Sequence, residues 1–224
     1  MEATRDNRTL IDAEAFRQWL AREKSIRSLF RWKISPEDAY MMLTSAYARE
    51  VQIRGGHPRN EKQVLDNLRS IAEFMTSDTS WKTGILLCGN CGNGKTTAMA
   101  AFFTVSEYLR RLQGPAASGR FAEMVSARKV AQMAKEENGL AQYKGVTVLG
   151  LDDMGLEATD VLDYGNILNP VIEVIEERYR RQNFTFVTTN ITPPEVRKKY
   201  GDRVADRFNE MMKVIVFDNS SFRK

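Results

Sequence analysis

The feature that most constrains the fold is the pattern G-x-x-x-x-G-K-[ST], which this 224-residue chain matches from Gly89 to Thr96. An apolar run at 84–88 predicts a buried strand before the pattern, and residues 97–112 predict a helix after it. Strand, loop and helix in this order form a phosphate site, because N–H groups of the glycine-rich turn and of the helix N-terminus bind phosphate oxygens. We therefore expect a nucleoside triphosphate to bind here. The residues predicted to contact it are Gly89, Asn90, Cys91, Gly92, Asn93, Gly94, Lys95, Thr96 and Thr97.

Two side chains of the pattern have specific predicted roles. Lys95 is expected to reach the β- and γ-phosphates, and the Thr96 hydroxyl to complete the ligand shell of Mg²⁺. The alternative is a tight glycine turn that only connects a strand to a helix.

Strand-like and helix-like segments alternate along the rest of the chain. Strand patterns occur at 121–125, 146–151, 184–189 and 213–217. Helix patterns occur at 126–137 and 167–181, and Thr192-Pro193-Pro194-Glu195 has the form of a capping box that opens a short helix. This alternation predicts an α/β fold with a central parallel sheet and helices on both faces.

The N-terminal part predicts helices of its own. Ser35 and Pro36 open one of them as N-cap and first helical residue, and the helix is expected to end at Gly55-Gly56. We place a domain boundary there, with a helical extension at 1–58 and a nucleotide-binding domain at 59–224. A predicted helix at 9–33 has an apolar stripe, which is either a partner surface or packs on the chain's own second helix. The stripe consists of Phe16, Trp19, Leu20 and Phe30.

Composition excludes several classes of protein. With 42% hydrophobic and 28% charged residues the chain is typical of a soluble globular protein, and no apolar run approaches the roughly 18–20 residues that cross a bilayer. The first residues are polar and lack a secretory signal, so we expect a cytoplasmic protein without a membrane partner. The net charge of +4 permits contact with nucleic acid without proving it.

Cys88 and Cys91 have C-x-x-C spacing, but without a second pair and with His57 as the only histidine, redox or zinc chemistry is disfavoured.

Polar residues after two later strands extend the predicted site. Asp152 and Asp153 end the strand at 146–151, which we expect beside the phosphate-loop strand, and Asp152 suits Mg²⁺ while Asp153 suits the activation of water. Asn190 ends the next strand and is expected at the same edge of the sheet, where it could bind the γ-phosphate and water. A solvated acidic turn and a turn-forming asparagine are the alternatives.

Arg203 and Arg207 are four residues apart, which places them on one face if the segment is helical. An arginine in this position could reach the nucleotide site of a neighbouring subunit and stabilise the transferred charge. A surface network of arginines and aspartates is the alternative.

The order of these elements resembles AAA+ ATPases, in the clade that contains bacterial replicative helicase loaders of the DnaC/DnaI type. The resemblance extends over roughly residues 60–224, and its more specific parts are the stretches 201–208 and 216–223. It implies ATP and Mg²⁺ as ligands, Asn190 as the sensor-1 residue, and Arg207 as the arginine finger with Arg203 as its close competitor. It also implies a core without a C-terminal lid, self-association through the ATP sites, and assembly on single-stranded DNA and a hexameric replicative helicase.

Two departures from the family pattern matter. Asp153 stands where most AAA+ proteins have glutamate, so hydrolysis is expected to be slow, as in a switch. The first 55 residues match no motif, and the apolar stripe is the candidate helicase-binding surface. Two other functions stay open: a transposition helper ATPase that binds duplex DNA and a transposase, and a small-molecule kinase, although no lid segment for a kinase is evident.

Overall fold

The computed structural model describes residues 12–22, 29–58, 61–114, 121–157, 161–163, 166–219 and 221–222. Strands and helices alternate within these ranges, as the sequence predicts. The strands are β1 (Gly84–Gly89), β2 (Ala122–Ser126), β3 (Val148–Met154), β4 (Val161–Asp163), β5 (Asn166–Leu168), β6 (Phe184–Thr189) and β7 (Met212–Phe217). The helices are α1 (Ala13–Arg22), α2 (Pro36–Ile53), α3 (Lys62–Thr76), α4 (Lys95–Leu112), α5 (Ala127–Met133), α6 (Ala141–Gly145), α7 (Pro170–Arg181), α8 (Pro193–Tyr200) and α9 (Asp202–Met211).

Five of the described strands form one parallel sheet in the order β2-β3-β6-β1-β7. The predicted α/β class with a central parallel sheet is confirmed. The prediction that the acidic strand lies beside β1 is wrong, because β6 pairs with β1 on one side and with β3 on the other. The two residues that end β6 therefore lie between the phosphate loop and the acidic end of β3.

The predicted local signals at helix starts are present. The Ser35 hydroxyl accepts from the Asp38 N–H at 3.0 Å and caps α2, with Pro36 as its first residue. At α8, Thr192 and Glu195 form the predicted capping box. These caps satisfy N–H groups that have no partner within the first helical turn.

Several elements differ from the prediction. Of the helix expected at 9–33, the described residues form a helix only over Ala13–Arg22, and residues 29–33 are not helical. The helix expected at 126–137 ends at Met133, and the short α6 follows it. Two short strands, β4 and β5, pair antiparallel between β3 and α7 and were not predicted. The helix expected from residue 167 begins at Pro170 instead, because the Asn169 side chain caps it by accepting from the Ile172 N–H at 3.2 Å.

Each face of the sheet has its own hydrophobic core, so the prediction of helices on both faces is confirmed. The first core joins α2, α3 and α4 to the sheet around Phe102, which stacks on Trp32 and Phe184. The second core joins α5 to α9 to the opposite face around Leu149 and Val187. Both cores bury apolar side chains that alternate along the strands, which is the main stabilising contribution in such a fold.

The predicted apolar stripe is divided in the structure. Phe30 packs on Phe102, Phe121 and Phe184 in the first core, and its ring lies 5.2 Å from that of Phe184. By contrast, none of the α1 residues is buried, and the remaining stripe residues on α1 are exposed. The boundary at 58/59 stays a prediction, and residues 29–53 pack on the same core as β1. None of the helices in the described ranges is long and apolar enough to cross a membrane.

Candidate nucleotide-binding site

The phosphate loop runs from the end of β1 into the first turn of α4, as predicted. Gly89 and Gly94 have φ angles of +149° and +100°, a region that favours glycine. Neither position has room for a side chain. A Cβ at Gly89 would lie 2.0 Å from the Phe217 carbonyl oxygen, and one at Gly94 would lie 2.4 Å from the Tyr47 hydroxyl. These two glycines let the loop pack closely against β7 and α2.

Lys95 is buried within the loop that it follows. Its ammonium donates hydrogen bonds of 2.7 Å to the carbonyl oxygens of Gly89 and Asn90, and one of 3.1 Å to Asn93 Oδ1. Burial lowers the pKa of Lys95, and the carboxylate of Asp153 opposes this effect. The loop thus holds one cation at its centre, which suits the binding of a polyphosphate.

Thr96, in the first turn of α4, meets Asp152 on β3 although β6 lies between β1 and β3 in the sheet. The Thr96 hydroxyl donates a 3.0 Å hydrogen bond to Asp152 Oδ1. The same oxygen accepts a 2.6 Å hydrogen bond from the hydroxyl of Thr188, near the end of β6. A hydroxyl and a carboxylate are oxygen donors of the kind that Mg²⁺ prefers, so the side chains of Thr96 and Asp152 fit the predicted ion.

Asp153 has a backbone conformation that sets it apart from Asp152. Its φ of +54° is uncommon for a residue with a side chain, and the register between β3 and β6 shifts between Leu151 and Met154. The Asp153 N–H donates to the Thr188 hydroxyl at 2.9 Å. Thr188 thus binds Asp152 through its carboxylate and Asp153 through its backbone.

Asn190 directly follows β6, at the sheet edge where Asp152 and Asp153 also lie. The position is fixed by Thr189, whose hydroxyl donates to the Met154 carbonyl at 2.6 Å and accepts from the Ile191 N–H at 3.2 Å. The predicted grouping of Asn190 with the acidic residues at one edge is consistent with this placement, and its role stays a prediction.

Arg203 and Arg207 lie on one face of α9, as their spacing predicts, and both contact Glu176 on α7. The Arg203 side chain is 73% exposed, whereas that of Arg207 is 19% exposed and lies 5.3 Å from the centre of the Tyr179 ring. Among the described residues neither arginine forms a hydrogen bond or ion pair with the phosphate loop. The role of either arginine at a nucleotide site stays a prediction.

The two cysteines lie in different environments. Cys88 is buried at the end of β1, and burial raises the pKa of its thiol to about 11, while Cys91 is exposed in the loop. In the described part of the chain no group of three or more His, Cys, Asp or Glu side chains could hold a metal ion.

Three residues at the site were not predicted from the sequence. Thr188 binds both acidic residues, Arg54 donates a 3.1 Å hydrogen bond to the Thr97 hydroxyl, and Tyr47 packs against Gly94. Of these three residues, only Thr188 had a signal in the sequence, because its hydroxyl lies near the end of a predicted strand. Tyr47 lies on α2 and Arg54 directly follows that helix, far from the loop in sequence.

The sheet order, the phosphate loop and the acidic end of β3 match the fold of a P-loop AAA+ core. Solved structures of this fold include a DnaC helicase loader, with a TM-score of 0.54 and 20% identity over 72% of this chain and 93% of that chain. A DnaI structure has a TM-score of 0.52 and 22% identity, covering 72% of this chain and 83% of that chain. A protein described as a primosome component from Streptococcus pyogenes serotype M3 has a TM-score of 0.55 and 20% identity, covering 73% and 84%.

The chain therefore has the fold of helicase loaders of the DnaC and DnaI type, and the predicted resemblance is confirmed at the level of the fold. No protein-family model matches the sequence, and no curated protein matches it.

Proposed function

We propose that this protein is an ATP-dependent loader of a replicative helicase, and that binding and slow hydrolysis of ATP switch its state. The observation that carries the ATPase part is the hydrogen bond between Thr96 and Asp152. It brings a loop that suits phosphate and a strand end that suits Mg²⁺ to one edge of the sheet. When bound, Mg²⁺ would neutralise charge on the β- and γ-phosphates.

The protein's own residues have separate roles in this proposal. Lys95 and the loop N–H groups bind the phosphates, while Thr96 and Asp152 hold the ion. Asp153 accepts a proton from the attacking water, and Asn190 orients that water against the γ-phosphate. The shorter reach of aspartate at position 153 favours a slow reaction.

The loader part of the proposal is supported by the likeness to helicase-loader structures and by two surfaces of this chain. The exposed side chains of α1 offer an apolar face to a hexameric helicase, because Phe16, Trp19 and Leu20 are each about half exposed. Arg203, exposed on α9, offers a cation to the ATP site of a neighbouring copy. We propose self-association through the ATP sites, on single-stranded DNA. The resemblance ranks Arg207 first for the role in trans, but the greater exposure of its side chain makes Arg203 our first candidate and Arg207 the second.

A pull-down from cell extract, with and without ATP, tests the partner. We expect wild-type protein to recover a replicative helicase when ATP is present and Lys95→Ala to recover much less. A Phe16→Ser/Trp19→Ser variant should lose the helicase while keeping ATP affinity. Recovery of a transposase, with filaments on duplex DNA, would replace the loader by a transposition helper. Phosphorylation of a metabolite without any response to DNA would replace it by a kinase.

A further inference from the structure

Residues that follow β7 bind the outer side of the phosphate loop. The Phe222 N–H donates to the Gly92 carbonyl at 2.9 Å, and the Asn219 side-chain amide donates to the Asn93 carbonyl at 3.1 Å. In the other direction, Asn93 Nδ2 donates to the Phe217 carbonyl at 2.5 Å. Two consecutive loop carbonyls are thus held by the last described part of the chain.

These bonds fix the direction of loop N–H groups as well. In a trans peptide the C=O of one residue and the N–H of the next point in opposite directions. When the carbonyls of Gly92 and Asn93 face the residues after β7, the N–H groups of Asn93 and Gly94 face the other way. Consecutive N–H groups that converge on one side form the anion-binding concavity of a phosphate loop.

Packing supports the same contact independently of these bonds. The Phe217 carbonyl lies so close to Gly89 that any Cβ there would collide with it. A Cβ at Gly94 would lie 3.4 Å from the Phe222 ring, and that ring packs on the first core. Asn93 is fully buried, with Oδ1 toward the Lys95 ammonium and Nδ2 toward Phe217. Gly89 and Gly94, at the two ends of the loop, therefore both pack against the end of β7 and the residues that follow it.

We propose that Asn219 and the backbone N–H of Phe222 are positioning residues for the phosphate-binding amides, which makes the stretch after β7 part of the nucleotide site. This inference rests on the proposed function, in that it takes the loop to bind ATP. The two groups touch no nucleotide themselves. They act by holding the peptide planes between Gly92 and Gly94.

Nucleotide affinity of the full chain, measured calorimetrically with Mg²⁺-ATP and with Mg²⁺-ADP, tests the proposal. Asn219→Ala removes one donor, and Asn219→Asp keeps the shape while replacing the NH₂ group by oxygen. We expect each to raise the Kd of both nucleotides about threefold to tenfold, the effect of one lost hydrogen bond. The rate at saturating ATP should change little, since neither group contacts Thr96 or Asp152.

A matched pair isolates the backbone donor of residue 222. Phe222→Ala keeps the N–H group and Phe222→Pro removes it, so Phe222→Pro should bind both nucleotides more weakly than Phe222→Ala. Asn209→Ala, at an exposed asparagine of α9, serves as the control and should leave both affinities unchanged.

The outcomes separate the two proposals. Wild-type protein that binds no ATP would overturn the proposed function and this inference with it. Wild-type binding with unchanged affinity in both Asn219 variants, or equal weakening by Phe222→Ala and Phe222→Pro, would overturn the corresponding part of the inference and leave the proposed function intact.

Discussion

The hydroxyl of Thr96 and the carboxylate of Asp152 are 3.0 Å apart although β1, which leads into the phosphate loop, and β3 are not neighbours in the sheet. β6 lies between β1 and β3 and supplies Thr188, whose hydroxyl donates to Asp152 and accepts from the Asp153 N–H. One threonine thus contacts both acidic residues. β6 is therefore part of the site, since Thr188 binds the carboxylate of Asp152 and the backbone of Asp153.

Replacing Thr188 by valine should slow ATP hydrolysis with little effect on ATP affinity. Valine has nearly the same shape but cannot bind Asp152 or the Asp153 N–H, and the loss of a hydrogen bond to a charged group costs about 1.5–3 kcal/mol. We expect kcat to fall at least about tenfold while the Kd for ATP changes less than about threefold. Steady-state ATPase assays and calorimetry provide the two values.

Thr104→Val, at an exposed position of α4, is the matched control and should behave like wild type. A Thr188→Val protein with full kcat would show that the carboxylates keep their directions without this hydroxyl.

Arg178 should be essential for stability because it is a fully buried cation whose bonds go to uncharged groups. Its guanidinium donates to Thr185 Oγ1 at 2.8 Å and to the carbonyls of Tyr143, Val146 and Phe184 at 2.5–2.9 Å. Arg178→Met would leave these buried acceptors unpaired, at about 1–3 kcal/mol each before relaxation. We expect a loss of at least about 3 kcal/mol in the free energy of unfolding, measured in urea.

The exposed neighbour Arg180 provides the comparison. Its side chain is 73% exposed, so Arg180→Met should change the free energy of unfolding by no more than about 0.5 kcal/mol. Similar unfolding curves for Arg178→Met and Arg180→Met would contradict the structural role of the buried guanidinium.

The buried thiol of Cys88 should make the free energy of unfolding fall at alkaline pH. Burial raises the pKa of its thiol from 9.0 to about 11, so the folded state favours the neutral thiol. The stabilisation that this preference gives the folded state is complete below pH 9. It is lost as the pH rises toward 11, and about 1.4 kcal/mol of it is gone at pH 10. Urea unfolding of wild type and Cys88→Ala between pH 8 and 10 should therefore give curves that converge as the pH rises. A constant difference across that range would contradict the prediction.

Signals that are local in sequence predicted the fold and much of the site. The loop pattern fixed β1 and α4, the caps at Ser35 and Thr192 fixed two helix starts, and β6 has the predicted bounds. Each of these features depends on hydrogen bonds or side-chain alternation within a few residues, which a sequence displays directly.

Features that depend on strand order or on distant packing could not be predicted in this way. The position of β6 between β1 and β3 is a property of the whole sheet. In the sequence Thr188 looks like an ordinary β-branched strand residue, so its contact with the acidic residues is not evident there. Helical spacing groups Phe30 with Phe16, Trp19 and Leu20 in one stripe, yet Phe30 packs on Phe102 while the other three are exposed. The contact of Glu176 with Arg203 likewise joins two helices whose pairing the sequence does not encode locally.

Arg203 is expected to act on the ATP bound by a neighbouring copy, and a mixing experiment detects this directly. Arg203→Ala keeps its own phosphate loop but offers no cation, whereas Lys95→Ala keeps Arg203 but binds ATP poorly. Each variant alone should have at most about a tenth of the wild-type ATPase rate under conditions of self-association. Mixed in equal amounts, they should regain about a quarter of it, because some sites pair an intact loop with an intact arginine. The same mixture made with Arg207→Ala shows which arginine acts, and a mixture no more active than its parts would exclude the contribution in trans.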